Sequence, residues 1–285
     1  MPRFRRLLVS ALLPVILIYT GYCLMLALVR DRLLFAQHNR ARAAGHTAPA
    51  GFETWWLDLP DGEGRVEAWW SPAPGATREK PAPAVLYFHG NAQLIDDSTG
   101  AARVWNGLGV STLLVSYRGY GRSGGKPTAD NGITDAVAWF DRLAARPEVD
   151  ARAILAHGYS LGGAFAAQLA TRRPVAGLAL ESTFASIPRM AHAYGVWIYF
   201  PHERLDTVAA LKKLPSGVPV LVTHGTQDRV VPFSENRPLL DARPDTIRHT
   251  GDFGHMPWAQ EESGHALLRQ LLAAATDGAT PGLTP

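Results

Sequence analysis

Six short apolar runs, spaced by longer segments of helical periodicity, constrain this chain more than any other feature. Ala84–Phe88, Thr112–Ser116, Ala153–His157, Val175–Leu180, Val218–His224 and Thr246–Thr250 are each five to seven residues long, mostly without polar/apolar alternation. Runs of that length and character suit strands covered on both faces, so the pattern predicts a mostly parallel α/β sheet. Candidate helices fall near 97–108, 131–145, 161–172, 234–242 and 259–275. Upstream, Glu53–Leu59 and Val66–Trp70 flank Pro60-Asp61-Gly62 and read as an antiparallel hairpin at the sheet edge. With 285 residues, 47% of them hydrophobic, the chain has apolar material for one large core, which excludes disorder, collagen and coiled coil. The single cysteine, Cys23, cannot form an internal disulfide, and no Cys/His cluster has metal-ligand spacing. A disulfide framework and a structural zinc site are therefore not expected.

The net charge of +3 suggests a basic surface until the charges are placed. Residues 1–50 hold seven Arg and one Asp, leaving 21 basic and 24 acidic residues for the rest, so the body is mildly acidic and nucleic acid is not expected as a partner. Leu7–Val29 is an uncharged run of 23 residues, about 34 Å as a helix, enough for a single transmembrane span. A cleaved signal peptide is the rival reading, because Arg3, Arg5 and Arg6 resemble its basic start. The run exceeds the usual apolar core of such a peptide and lacks a small-x-small site directly after it, which favours an uncleaved anchor. Tyr22 is too bulky for the small residue expected before a lipidated Cys23. Charge flanks favour a cytoplasmic amino terminus, with the large domain on the non-cytoplasmic side. The expected organisation is an anchor over 1–30, a linker over 31–51, an α/β domain over 52–275 and a tail over 276–285.

Ligands of parallel sheets bind past the carboxyl ends of strands, so the chemistry is sought there. Gly158-Tyr159-Ser160-Leu161-Gly162 follows one predicted strand directly and opens a helix of small and apolar residues. In this G-x-S-x-G turn the glycines permit a tight reversal that lifts the Ser hydroxyl above the sheet. Gly121-Arg122-Ser123-Gly124-Gly125 matches the same pattern, but Lys126-Pro127 follows it where a helix start is required. Context therefore selects Ser160 as nucleophile over Ser123. A Ser hydroxyl needs a base, and the base an orienting acid. Asp228 lies just past Val218–His224, and Glu181, at the end of the preceding strand, is the competing acid. Of the three His that follow Asp228, His249 falls in the last strand and His265 in the final helix. His255 sits in the loop between them and is the favoured base. Backbone N–H groups of Asn91, in His89-Gly90-Asn91-Ala92, and of Leu161 are the predicted oxyanion donors. His89 itself reads as a structural loop residue.

From about residue 52 to 275 the chain resembles the α/β-hydrolase-fold serine hydrolases. Tyr117-Arg118-Gly119-Tyr120-Gly121-Arg122-Ser123, the His89-Gly90-Asn91 loop, Glu181-Ser182-Thr183-Phe184 and the amino-terminal apolar run are similar to the membrane-anchored bud-emergence (Bem) type group. That resemblance implies hydrolysis of an acyl ester or thioester, lipid-derived or otherwise apolar, through a Ser-His-Asp triad that needs no cofactor, with a peptidase sharing the same residues as the alternative. A non-catalytic hydrolase-like binding protein is the reading from another class. Between Ser182 and Leu214 the strand pattern lapses, where this fold inserts a cap, and Tyr194, Trp197, Ile198, Tyr199, Phe200 and Pro201 lie there. They read as an acyl-chain wall or membrane-facing lip on the one hand and, equally, as cap packing onto the core on the other.

Overall fold

A computed structural model describes residues 2–35, 47–91, 93–195 and 205–277; the side chains of 2–9, 27, 29–33, 61 and 260 are also outside the described set. The chain opens with helix α1 (Pro2–Leu34). Strands β1 (Glu53–Asp58), β2 (Arg65–Ser71) and β3 (Ala82–Phe88) precede α2 (Thr99–Gly107), β4 (Ser111–Val115) and α3 (Ala129–Ala144). Then come β5 (Val149–Tyr159), α4 (Leu161–Ala170), β6 (Gly177–Glu181), α5 (Ile187–Ala193), α6 (Thr207–Lys213), β7 (Val220–Gly225), α7 (Asn236–Ala242), β8 (Ile247–Gly251) and α8 (His265–Asp277). The strands form one sheet in the order β1-β2-β4-β3-β5-β6-β7-β8. β2 pairs antiparallel with β1 and β4, and every other neighbouring pair is parallel.

The lack of alternation in the strands follows from where successive side chains go. In β3, Ala84, Leu86 and Phe88 enter the core that also holds Ile133, Trp139 and Phe165 from α3 and α4, while Val85 enters a second core with Trp105 of α2 and Leu268 and Leu271 of α8. Because side chains alternate between faces, a strand covered on both needs apolar residues at every position. Helix starts are marked locally: the Thr128 hydroxyl accepts from Asn131 N–H at α3 and the Asp206 carboxylate from Ala209 N–H at α6.

Two boundaries matter most among those that differ from the sequence reading. β5 runs to Tyr159, because Gly158 and Tyr159 still pair with β3 and β6 before the chain turns. The last helix starts at His265; Trp258–Gln260 and Glu262–Gly264 are short 3-10 turns in the segment expected to begin it. In the cap region the described residues form α5 and α6, joined at their bases by a bridge between Ser186 and Asp206. Of the aromatic cap stretch only Tyr194 is described; Trp197, Ile198, Tyr199, Phe200 and Pro201 lie outside the described residues, as do linker positions 36–46 and the tail from 278. Among the described residues no helix is long and apolar enough to cross a membrane, and both ends of the Leu7–Val29 run have side chains outside that set. Just past α1, Phe35 is buried with its ring 6.4 Å from that of Phe165.

Candidate active site

The turn between β5 and α4 holds Ser160 in a backbone conformation that side-chain-bearing residues rarely adopt, φ 54° and ψ −120°. Two glycines make the turn sterically possible. A Cβ at Gly158 would collide with the Gly162 carbonyl, and one at Gly162 with the Phe88 carbonyl of β3. Ser160 N–H donates to the Glu181 carbonyl (2.8 Å) and Thr183 Oγ1 to the Ser160 carbonyl (2.7 Å), so the strained turn is fastened to β6 and the residues after it.

Past the end of β7, Asp228 Oδ1 accepts from Val230 and Val231 N–H at 2.9 and 2.8 Å, which aims Oδ2 at His255 Nδ1, 2.7 Å away. His255 Nε2 lies 3.0 Å from Ser160 Oγ. With the carboxylate acting only as acceptor, Nδ1 carries the imidazole proton and Nε2 is free to accept from the Ser hydroxyl. The three residues therefore form one relay of hydrogen bonds from the strand ends of β5 and β7 and the loop after β8. Leu161 is the first residue of α4, whose opening N–H groups have no partner within the helix and sit at its positive pole. Asn91 lies in the loop after β3, and Ala92, beside it, is outside the described residues.

The other sequence candidates are elsewhere. Ser123 Oγ accepts from Glu67 N–H of β2 at 3.0 Å, so this second G-x-S-x-G serine fastens a loop to the hairpin. Glu181 turns from the relay and meets His157. His249 stacks on Trp258 with ring centroids 3.8 Å apart, and His265 opens α8. Among the described residues no group of three or more His, Cys, Asp or Glu side chains is placed to hold a metal ion.

Comparison with known proteins bears on the family and the fold. Residues 79–210 match the family model described as serine aminopeptidase, S33. An uncharacterized protein of Mycobacterium tuberculosis (strain H37Rv) is 32% identical over 237 residues, covering 82% of this chain and 83% of that one. Protein bem46 of Schizosaccharomyces pombe is 32% identical over 166 residues, 53% of this chain and 52% of that protein. Among solved structures, an esterase from Pyrococcus furiosus superposes with a TM-score of 0.65 at 16% identity, covering 82% of this chain and 96% of the esterase. The chain belongs to the α/β-hydrolase family. It is an enzyme of the serine hydrolase type.

In this α/β-hydrolase the electrostatics of the relay are set by its neighbours. Burial pushes the Asp228 carboxyl up, but the hydrogen bond from His255, the N–H groups of Val231 and Val230 and the His255 charge outweigh it and hold the carboxyl below its ordinary range. Asp228 is thus held as the carboxylate that accepts from His255 Nδ1–H. His224, at the end of β7, donates from Nε2 to the Val231 carbonyl at 2.9 Å, and burial keeps its imidazole lower than usual despite Asp228 nearby. His89 is fully buried, its Nδ1–H donates to the Gly90 carbonyl, and burial lowers it to about 4 against the opposing pull of that carbonyl, Asp97 and Asp96. It is a neutral post of the loop, as its sequence position implies.

Two supports of the site carry no catalytic signature in the sequence. Tyr117 and Tyr120 carry the family resemblance, and the structure gives them work: Tyr117 Oη donates to the His89 carbonyl and Tyr120 Oη to Asn91 Oδ1, each at 2.7 Å. Burial raises both phenols well above their ordinary range, so they remain donors. Arg118, between them, forms a two-pronged buried ion pair with Asp135 of α3 at 2.8 and 2.7 Å. The Gly90 Cα packs so closely on the Tyr159 ring that a Cβ would come within 2.9 Å of it, and Tyr159 Oη reaches the His255 carbonyl at 3.1 Å. No periodicity announces these contacts; only the Tyr-x-x-Tyr spacing after a strand end offers a signal.

Proposed function

We propose that this α/β-hydrolase cleaves carboxylic esters or thioesters of apolar acyl groups through an acyl-enzyme, with Ser160 as nucleophile, His255 as base and Asp228 as orienting acid. The observation that carries the reading is the continuous relay Ser160 Oγ, His255, Asp228 beside the amino terminus of α4. Ser160 Oγ attacks the acyl carbonyl while its proton moves to His255 Nε2. Asp228 stabilises the imidazolium and fixes its tautomer. The N–H groups of Leu161 and Asn91 receive the developing oxyanion. Collapse of the tetrahedral intermediate releases the alcohol or thiol with the proton from Nε2. Water, deprotonated by His255, then attacks the acyl-enzyme, and a second collapse frees the acid and restores Ser160.

Labelling with a fluorophosphonate probe tests this directly. Wild type and Ser123→Ala are expected to label, and Ser160→Ala not; a folded wild type that resists the probe at neutral pH overturns the reading. A peptidase reading shares every residue, and the description of the matching family model favours keeping it in view. Turnover of p-nitrophenyl esters beside aminoacyl amides separates the two.

We further propose that α1 holds the enzyme on a bilayer, with the catalytic domain on the non-cytoplasmic side. Leu12, Leu13, Val15, Ile16, Leu17, Ile18, Leu24, Met25 and Leu28 are each at least half exposed, at positions distributed all round the helix. An all-round apolar helix is stable only in an apolar medium. The other exposed large apolar side chains among the described residues are Tyr22, Tyr194, Val230 and Phe233. The last two follow Asp228 in the segment after β7. Liposome flotation of the full chain checks this: co-flotation is expected for wild type and its loss for Ile16→Asp/Ile18→Asp.

A further inference from the structure

In the sequence Glu181 competes with Asp228 for the role of acid, and the structure gives it a different partner set that the relay does not use. Its side chain is fully buried at the end of β6, directly behind the Ser160 turn. Oε1 meets His157 Nε2 at 2.5 Å, and Oε2 accepts from Ala259 N–H at 2.6 Å. His157, equally buried, receives at Nδ1 the indole N–H of Trp105 at 3.0 Å.

These contacts fix the protons. An indole N–H only donates, so His157 Nδ1 must accept and the ring is neutral, with its proton on Nε2. That N–H points at one Glu181 oxygen and the Ala259 N–H at the other. Both oxygens face donors, which leaves a carboxylic proton nowhere to go. Glu181 is therefore a buried carboxylate held by two neutral donors, an arrangement that costs desolvation without a counter-charge and calls for a return elsewhere.

The return lies in what its two ends join. The backbone carbonyl of Glu181 accepts from Ser160 N–H, and its side chain holds Ala259, four residues past His255. Ser182 Oγ, next in sequence, donates to the Met256 carbonyl at 3.3 Å, and Tyr159 Oη to that of His255. We propose that Glu181 is a positioning residue. Resting on the catalytic reading above, its carboxylate, oriented by Trp105 through the His157 tautomer, sets the distance between the nucleophile turn and the loop that brings His255 to Ser160.

The test uses Glu181→Gln in the full chain. A Gln side chain supplies one acceptor where two donors wait, and Trp105 bars His157 from switching tautomer, so one donor-donor conflict is unavoidable. Rates are normalised to the active sites titrated with fluorophosphonate. The expected result is a 10- to 100-fold fall in kcat for a p-nitrophenyl ester, with KM within about twofold. In Trp105→Phe/Glu181→Gln, His157 is free to carry its proton on Nδ1 and accept at Nε2 from the Gln amide, so the double variant is expected to lose less than the product of the two single losses. A purely structural Glu181 predicts fewer titratable sites but unchanged kcat per site, with multiplicative losses; that outcome overturns the proposal. Nitrogen-15 shifts of the His157 ring in wild type provide a readout that needs neither variant nor activity. The Nε2–H tautomer is expected, and a proton on Nδ1 overturns the tautomer step even if Glu181→Gln fails to fold. Should wild type fail to label at Ser160 while His157 shows the Nε2 tautomer, the catalytic reading fails and the buried network stands as structure only.

Discussion

The chain contains the G-x-S-x-G pattern twice, and the two copies have opposite fates. Gly158–Gly162 spans the junction of β5 and α4, so the strand delivers Ser160 to the carboxyl end of the sheet and the helix begins on the next residue. Gly121–Gly125 lies between β4 and α3 with no helix start until Ala129, and its serine turns inward to the hairpin. The backbone shows the same contrast: Ser160 takes the positive φ itself, whereas in the second copy Gly121 and Gly125 take it, at 57° and 76°. Strain on the serine in one loop, and on glycines in the other, distinguishes a presented side chain from a turn that closes a loop. The second loop still serves the first, since Tyr117 and Tyr120 just ahead of it brace the His89 and Asn91 loop, whose Gly90 packs on the ring of Tyr159 next to Ser160.

Substitutions at the two loops break or sharpen that contrast. Ser160→Ala is expected to lower kcat by roughly 10⁴- to 10⁶-fold, measured on a p-nitrophenyl ester. Asp228→Asn, which turns a double acceptor into a group that no longer enforces the Nδ1–H tautomer, is expected to cost roughly 10³- to 10⁴-fold; a loss under tenfold would detach Asp228 from the relay. For the loop between, acid should act through His89. Its imidazole is held to about 4 by burial, against about 6.5 in the unfolded chain, so only the unfolded state gains the proton between those values. The stability from this group is therefore complete above pH 6.5 and lost as pH falls toward 4, about 2 kcal/mol of it by pH 5. Urea midpoints at pH 7 and pH 5 read the loss, which should shrink in His89→Asn. Tyr120→Phe removes one donor to Asn91, and about 1 kcal/mol of lost positioning corresponds to a five- to tenfold fall in kcat.

How much of this is legible in the sequence depends on whether the signal is local. The parallel sheet is, because strands buried on both faces must be apolar at every position, and so is the strand-turn-helix context of Ser160, because Gly158 and Gly162 sit where a Cβ has no room. Position past a strand end puts Asp228 forward, and position in the loop between the last strand and the last helix puts His255 forward. Contacts made across the sheet are not legible: Glu181 at a strand end reads as an acid for the base, and only the fold shows that its carboxylate meets His157 and the Ala259 N–H instead. The start of α8 falls later than the apolar pattern predicts for a related reason, since that pattern continues upstream of His265 while Ala259 N–H is committed to Glu181 and the segment turns twice in 3-10 geometry.

The smallest effect on catalysis is expected at the serine that most resembles the nucleophile. Ser123→Ala keeps its loop's glycines and removes only an acceptor, leaving the Glu67 N–H of β2 buried without it. The neighbouring contacts persist: Ser123 N–H donates to the Tyr120 carbonyl, Gly124 N–H to that of Arg65, and Arg122 pairs with the Glu67 carboxylate at 2.6 Å. The loss should therefore fall on stability, about 1 to 3 kcal/mol by urea denaturation for one unsatisfied buried donor, with kcat and KM each within about twofold of wild type. If kcat instead drops by more than tenfold while the protein remains folded, the second loop does more than brace the site, and the division of labour between the two copies has to be redrawn.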